Sequence, residues 1–571
     1  MQKPAQVALI GAGIAAFLTL PGLANGTLWD NSETAYAEVA REILLLHQGI
    51  VMHLNGSAWF VQPPLYFWIA AAFGKLFGIG SFAFRLPSAL ATVAMAAITG
   101  YAVTRAAGAR AGLYATIILS TSLMQAIIGR LAIMDALLDL AVTLTMFWWW
   151  RALRTGRQAY FVCGWIAAGF GFLAKGPVAL VMPLLIIIPF YVWNRRSESM
   201  HAPTGRAWLM GGGSFLCVVL PWMIALYAQT GPGALAQLLG HYTIGRYTGT
   251  IENQAGPIWY YIPVLLLGFF PWVAFLPAAL IYGWNQVRAR SVDDGSRSLV
   301  RLALLWTLVP LLFFSFARTK LPNYIALELP GVALLVALYL NSIVQRYRRR
   351  SLMLSAAAVP ITIALLGVAI AMFSHQNRLV AGTEKLSGDL LAVGVALFIG
   401  SIITALAFLS ERRAEYAPYL LGATSFVGIS ILAIVALPQA EQFKPIPRLA
   451  AIIERERLPG DIVGIAGVSG GNALVFYTEP GVKTVASAAG NPAEAPSLRS
   501  IICSAGRAFV VTAKRRAVVD ATYGRVRRLL AIDNNDALVL YTGPPCSTIG
   551  RSKRAPRTFR GLVLGYDSRH E

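Results

Sequence analysis

Pro63-Pro64-Leu65-Tyr66-Phe67-Trp68-Ile69-Ala70-Ala71-Ala72-Phe73-Gly74-Lys75-Leu76-Phe77-Gly78 decides the fold, because its two readings reverse the orientation of everything that follows. The stretch is short, opens on Pro-Pro and carries Lys75, so length alone leaves it as either a span or an interfacial helix. On both sides of it, apolar segments of spanning length run over about 7–23, 84–104, 111–128, 132–151, 160–174, 177–194, 208–228, 258–283, 300–316, 322–341, 352–373, 389–409 and 417–437, about thirteen in all. Charge settles the choice. If 63–78 does not cross, Arg105 and Arg110, then Arg151, Arg154 and Arg157, then Arg195, Arg196 and Arg206, then Arg288, Arg290 and Arg297, then Arg346, Arg348, Arg349 and Arg350, then Arg412 and Arg413 all fall in cytoplasmic loops. If it crosses, all of them face outside, against the positive-inside rule along the whole chain. The reading is an N-terminus inside, about thirteen spans, a first outer loop with interfacial helices, and a C-terminus outside.

Composition agrees with a bilayer. The 571 residues are 57% hydrophobic and 13% charged, with a mean hydropathy of +0.61. The net charge of +22 does not point to nucleic acid, since Lys and Arg sit in short gaps between apolar runs instead of covering a polar face. The segment Val7 to Leu23 after Lys3 reads as an uncleaved anchor in preference to a signal peptide, because it is long enough to span and further spans follow. Four cysteines form neither a Cys-x-x-Cys pair nor a metal-type spacing with histidine.

From about residue 440 the sequence turns polar and mixed. Runs at 461–465, 508–512 and 537–541 read as strands, and 446–457 and 515–530 carry helical patterns. The organisation expected is a transmembrane domain over 1–439, a small extracytoplasmic α/β domain over 440–550, and a basic, disordered tail over 551–571. Cys503 and Cys546 are the only cysteines of the outer domain; the compartment permits a bond, and whether their Cα atoms come within the required distance of about 7 Å does not follow from spacing alone.

The topology leaves a short set of charged groups on the outer face. The first outer loop carries Asp30, Glu33, Glu38, Arg41 and Glu42, with a helix from Glu33 for which Ser32 is a plausible N-cap; a capped helix with acids in its first turn is the plain alternative. Asp135 lies at the outer end of a span, where an unpaired carboxylate costs up to about 3.5 kcal/mol at the centre and less near the end. A structural pair with Arg130 would be the alternative reading. Asp139, four residues on, shares its helix face. Arg85, Arg130, Lys175, Arg246 and Lys320 stand at span mouths, where a lipid phosphate would lie, unless they are snorkelling anchors.

These parts suit one reaction. A sugar on a lipid phosphate already carries a leaving group at its anomeric carbon, so the protein needs a carboxylate for the acceptor's proton and cations for the departing phosphate. Neither a nucleotide site nor an obligatory metal is required. No Walker loop or Gly-x-Gly-x-x-Gly fingerprint is present.

At this point the chain resembles the GT-C membrane glycosyltransferases, in the branch of the protein O-mannosyltransferases and the lipid A aminoarabinose transferase. The likeness covers about residues 7 to 340. It rests on Glu33-Thr34-Ala35-Tyr36-Ala37-Glu38, Pro63-Pro64-Leu65-Tyr66-Phe67-Trp68, Phe84-Arg85-Leu86-Pro87-Ser88, Arg130 through Asp135, Leu173-Ala174-Lys175-Gly176-Pro177, Trp259-Tyr260-Tyr261 with Gly268-Phe269-Phe270-Pro271-Trp272, and Lys320-Leu321-Pro322-Asn323-Tyr324. The resemblance implies a polyprenyl-phosphate-linked sugar as donor, a membrane lipid (lipid A-like or other) or a protein as acceptor, and a bacterial inner-membrane location with a periplasmic site. The family's first loop presents an Asp-Glu pair as base and a Glu-Lys-Pro segment whose lysine meets the donor phosphate. Here Ser32 stands at that Asp and Gln62 at that Lys. The base then falls to Glu33 first and Asp30 second, or to Asp135 alone, and the phosphate leans on Arg85, Lys175 or Lys320. A polysaccharide ligase or polymerase of the same broad fold is one rival. A lipid-linked substrate transporter or flippase is the other, opposed by the folded outer domain and the lack of internal repeats.

Overall fold

The computed structural model describes residues 3–29, 32–195, 200–250, 254–289, 294–376, 384–466, 471–478, 483–485, 507–514, 526–533 and 536–543. Asp30, Cys503, Cys546 and the tail over 551–571 lie outside these residues.

The chain opens with helices α1 (Pro4–Thr19), α2 (Glu33–Leu46), α3 (Leu65–Phe77), α4 (Ser81–Ala107), α5 (Ala109–Ser120), α6 (Leu123–Ile128), α7 (Asp135–Thr155), α8 (Gln158–Lys175), α9 (Val178–Asn194) and α10 (Gly205–Thr230). Among the described residues, six helices are long and apolar enough to cross a bilayer: Ser81–Ala107, Gly205–Thr230, Gly295–Phe316, Pro322–Gln345, Ala392–Leu409 and Ala414–Phe443. Exposed helix flanks are apolar: α10 leaves Leu209, Leu216, Leu220 and Ile224 exposed, the helix Arg349–Gln376 leaves Met353, Leu354 and Leu365 exposed, and Ala392–Leu409 leaves Leu406 exposed. Apolar stripes of this extent are not tolerated in water. The protein is a multi-pass membrane protein, mostly helical.

Two expected spans are not straight. The stretch at 258–283 divides into Tyr261–Gly268 and Trp272–Arg288, bent by 112°; Pro271 in the connection has no N–H to continue a helical ladder. The stretch at 111–128 breaks into α5 and α6 at Thr121 and Ser122, whose hydroxyls donate back to Ile117 O and Ile118 O at 2.7 and 2.6 Å. Such back-bonding by Ser and Thr competes with the ladder.

The deciding stretch is α3, whose 13 residues make a rod of about 20 Å, short of a hydrocarbon core of about 30 Å. It is pinned in place, with Tyr66 donating its hydroxyl to Phe84 O at 2.8 Å. Between α2 and α3 lies a hairpin of β1 (His53–Leu54) and β2 (Ser57–Ala58). Asn55 and Gly56 turn it with φ of 55° and 72°, the left-handed values a tight hairpin turn requires, and Gly56 N–H donates to Glu42 Oε1 at 3.0 Å.

The pair α7 and α8 positions most of the chemistry. Gly156 ends α7 at φ 70°, and the chain returns so that Lys175, at the end of α8, arrives beside Asp135, at the start of α7. Each end is favourable for its charge, an acid where the helix dipole is positive and a base where it is negative. Close approach needs a small residue at the crossing: a Cβ on Gly171 would stand 2.9 Å from the Cβ of Ala141.

Beyond the last long helix, β3 (Ile462–Ala466), β4 (Lys483–Val485), β5 (Arg507–Ala513), β6 (Val526–Asp533) and β7 (Asp536–Thr542) form one sheet in the order β4-β3-β5-β7-β6. β3 is parallel to β4 and β5, while β7 is antiparallel to β5 and β6. Helices Pro445–Glu456 and Gly471–Tyr477 cover it, with Ile446, Leu449 and Ile453 packed on Val463, Phe509, Val511 and Leu538. Residues 526–530, expected to continue a helix, are strand instead. Their apolar positions, Val526, Leu529 and Leu530, mimic helical spacing, but pairing with β7 at the sheet edge prevails.

Candidate active site

Glu33 begins α2, and Ser32 before it stands at the N-cap without a capping hydrogen bond from its hydroxyl. The Glu33 carboxylate is buried and fully engaged. Its Oε1 accepts from Arg85 Nε at 2.9 Å and from the Ala132 amide at 2.6 Å. Its Oε2 accepts from Arg85 Nη2 at 2.9 Å and from the Trp29 amide at 2.8 Å. A carboxylate offers about four lone-pair sites, and all are occupied. Arg85 is equally committed: its other N–H groups donate to Leu23 O at 3.3 Å, Asn25 O at 3.1 Å and Thr27 O at 3.0 Å. As placed, every lone-pair site of Glu33 and every N–H group of Arg85, the residues expected as base and phosphate ligand, is engaged within the protein.

Two further cations expected at the donor phosphate are helix caps. The Lys320 ammonium, buried, donates to Phe314 O at 3.2 Å, Ser315 O at 2.7 Å and Ala317 O at 2.8 Å, closing the helix Asp294–Phe316. Arg130 donates through Nη1 to Leu18 O at 3.0 Å and Thr19 O at 3.1 Å, at the end of α1. It does not pair with Asp135. Lysine and arginine satisfy terminal carbonyls in this way, with the dipole in their favour.

Asp135 pairs with Lys175, Nζ donating to Oδ1, and Asn323 Nδ2 donates to the same oxygen at 2.7 Å. Among the described residues, Oδ2 of Asp135 accepts no hydrogen bond and Asp135 is the sole hydrogen-bond acceptor for the Lys175 ammonium, two of whose N–H groups are left for a ligand. Lys175 also stands 5.3 Å from the Tyr324 ring centroid, and the Tyr324 hydroxyl accepts from Arg246 Nη1 at 3.1 Å. The arrangement is continuous, Arg246 to Tyr324 to Lys175 to Asp135 to Asn323. Asp139, one turn deeper on α7, is buried as well. A Cβ on Gly176, next to Lys175, would lie 3.9 Å from both Pro63 and Thr243, so the segments carrying Gln62 and Arg246 converge on this end of α8. Gln62 itself lines an apolar cleft with Ile50, Met52, Trp59, Trp222 and Leu226.

Asn323 and Tyr324 were not singled out as site residues from the sequence. Both belong to the motif that holds Lys320, and they, not the lysine, reach Asp135 and Lys175. Elsewhere on α2, Glu38 pairs with Arg41 at 2.6 Å, and burial pushes its carboxyl up to about 7 against the lowering charge of Arg41.

Residues 61–224 match the model of the dolichyl-phosphate-mannose-protein mannosyltransferase family. The chain is 30% identical over 450 residues, 77% of each chain, to undecaprenyl phosphate-alpha-4-amino-4-deoxy-L-arabinose arabinosyl transferase 1 of Pseudomonas fluorescens. It is 29% identical over 422 residues to the transferase of that name from Edwardsiella ictaluri, covering 72% of this chain and 73% of the relative. Its fold matches the crystal structure of ArnT from Cupriavidus metallidurans bound to undecaprenyl phosphate, with a TM-score of 0.74 and 20% identity over 93% of this chain and 97% of that one.

Proposed function

Because this chain belongs to the family of the undecaprenyl phosphate-alpha-4-amino-4-deoxy-L-arabinose arabinosyl transferases, a branch of the GT-C membrane glycosyltransferases, we propose that Asp135 and Lys175 are the working groups of its sugar transfer. The protein is an inner-membrane glycosyltransferase that draws its sugar from a polyprenyl phosphate. The donor phosphate meets the two unengaged N–H groups of Lys175, with Arg246 behind Tyr324 as a second positive charge. The acceptor, a group on a membrane lipid such as lipid A, attacks the anomeric carbon as the bond from that carbon to the phosphate oxygen breaks. Asp135 takes the acceptor's proton on Oδ2, and the polyprenyl phosphate departs with the bonding electron pair. Glu33 with Arg85, Arg130 and Lys320 form the frame.

The observation that carries this reading is the Asp135, Lys175 and Asn323 contact, placed where Oδ2 and two ammonium N–H groups remain unengaged. It is tested by incubating the purified protein with a radiolabelled polyprenyl-phosphate sugar and membrane lipid. Label is expected to move into acceptor lipid. Label that stays on the donor, or that crosses the bilayer still attached to it, would replace the transferase reading with a transporter.

The orientation belongs to the same proposal: about thirteen crossings, the N-terminus inside, the membrane domain over 1–439, and the site together with the domain over 440–550 in the periplasm. The Arg clusters support it. A reporter active only outside the cytoplasm is expected to work when fused after residue 440 and to fail near Arg348, and the opposite pattern would displace Asp135 from the outer face.

A further inference from the structure

We infer that Lys444, Glu441 and Tyr477, from the segment that leads into and covers the C-terminal sheet, position the catalytic end of α7 through the first loop; this rests on the reading of Asp135 given above. The loop Thr27 to Trp29 is gripped from two sides. On the C-terminal side, Thr27 Oγ1 donates to Glu441 Oε2 at 2.5 Å, and the Leu28 amide donates to the Tyr477 hydroxyl at 2.6 Å. Lys444 Nζ donates to Thr27 O at 2.9 Å and to Glu441 Oε1 at 2.6 Å, and stands 3.9 Å from the Trp29 ring centroid. Arg41 adds a second attachment from α2, donating to Val475 O at 3.0 Å and Phe476 O at 2.9 Å at the end of the helix Gly471–Tyr477.

On the membrane side, the same loop runs into the Glu33 and Arg85 pair. Arg85 shares the Thr27 carbonyl with Lys444, and the Trp29 amide reaches Glu33. Glu33 in turn holds the Ala132 amide, three residues before Asp135. An unbroken set of hydrogen bonds therefore runs from Lys444 and Tyr477 through Thr27, Leu28 and Trp29 to Glu33 and on to the turn that launches α7. These groups are positioning residues, since each acts through the loop. Burial pushes the Tyr477 hydroxyl up to about 12.

The test uses the full chain in nanodiscs with three variants, Lys444→Met, Tyr477→Phe and Lys444→Arg. Hydrogen exchange is read over residues 25–29, and kinetics with a polyprenyl-phosphate sugar are read beside it. Lys444→Met and Tyr477→Phe are expected to exchange faster in this loop and to lose about tenfold or more in kcat, as misplacement of a reacting group does. The donor KM should stay within about twofold, and Lys444→Arg, which keeps donors and charge, should recover both signals. Unchanged exchange in both Lys444→Met and Tyr477→Phe would end the idea of a latch, whether or not the wild type transfers sugar. Faster exchange with unchanged kcat would equally overturn the positioning role. Absence of transfer by the wild type would instead strike the functional reading, with the exchange data still deciding the latch.

Discussion

Asp135→Asn is expected to leave the protein folded and to lower turnover by about a hundredfold or more, the usual loss when acid–base assistance is removed. Asn keeps the volume and can still accept from Asn323 and Lys175, so the cluster's packing survives. What disappears is the carboxylate whose Oδ2 takes the acceptor's proton. Steady-state kinetics with a labelled donor, normalised to monodisperse protein, measure this directly. Turnover within a fewfold of wild type would reduce Asp135 to a structural partner of Lys175.

Glu33→Gln has a different expected signature. Glu33 and Arg85 form a buried pair in which every site is engaged, and removing one partner leaves the other charge buried without compensation, at a cost of about 3–5 kcal/mol. The variant should lose thermal stability or fail to accumulate in the membrane, and Arg85→Met should do the same. Replacing both at once, Glu33→Gln with Arg85→Met, should restore part of the loss, because no charge is then stranded. Loss of sugar transfer by a fully stable Glu33→Gln protein whose hydrogen exchange around Trp29 and Ala132 is unchanged would return Glu33 to the role of base.

Much of the architecture is legible in the sequence because it follows from a few physical constraints. Apolar segments of spanning length require a bilayer, and the shortness of α3 is visible in the length of the apolar run over 63–78. Asp135 and Lys175 stand out for a related reason: ionisable groups in apolar surroundings are costly and need a purpose. The sequence does not show which donors and acceptors are already engaged. Arg85, Arg130 and Lys320 look like phosphate ligands for their charge alone, and only the fold reveals Glu33, 52 residues from Arg85 along the chain, or the carbonyls at the ends of helices. The same gap hid Lys444 and Tyr477, whose partners lie more than 400 residues away. Local pattern also misled where tertiary pairing prevails, as in β6, whose apolar spacing imitates a helix.

In the proposed mechanism Lys175, backed by Arg246, faces the donor, while Arg85, Arg130 and Lys320 brace the frame. The most direct test compares Lys175→Ala with Lys320→Ala for donor concentration dependence and for thermal stability in the same preparation. Lys175→Ala is expected to raise the donor KM by about tenfold or more, since a charge-assisted contact to phosphate is lost, with a smaller fall in melting temperature than that of Lys320→Ala, because Asp135 keeps the Asn323 donor. Lys320→Ala should lower the melting temperature while its donor KM stays near wild type, as loss of a helix cap would. The reverse pattern, with donor dependence moved by Lys320→Ala and untouched by Lys175→Ala, would contradict the assignment of the site.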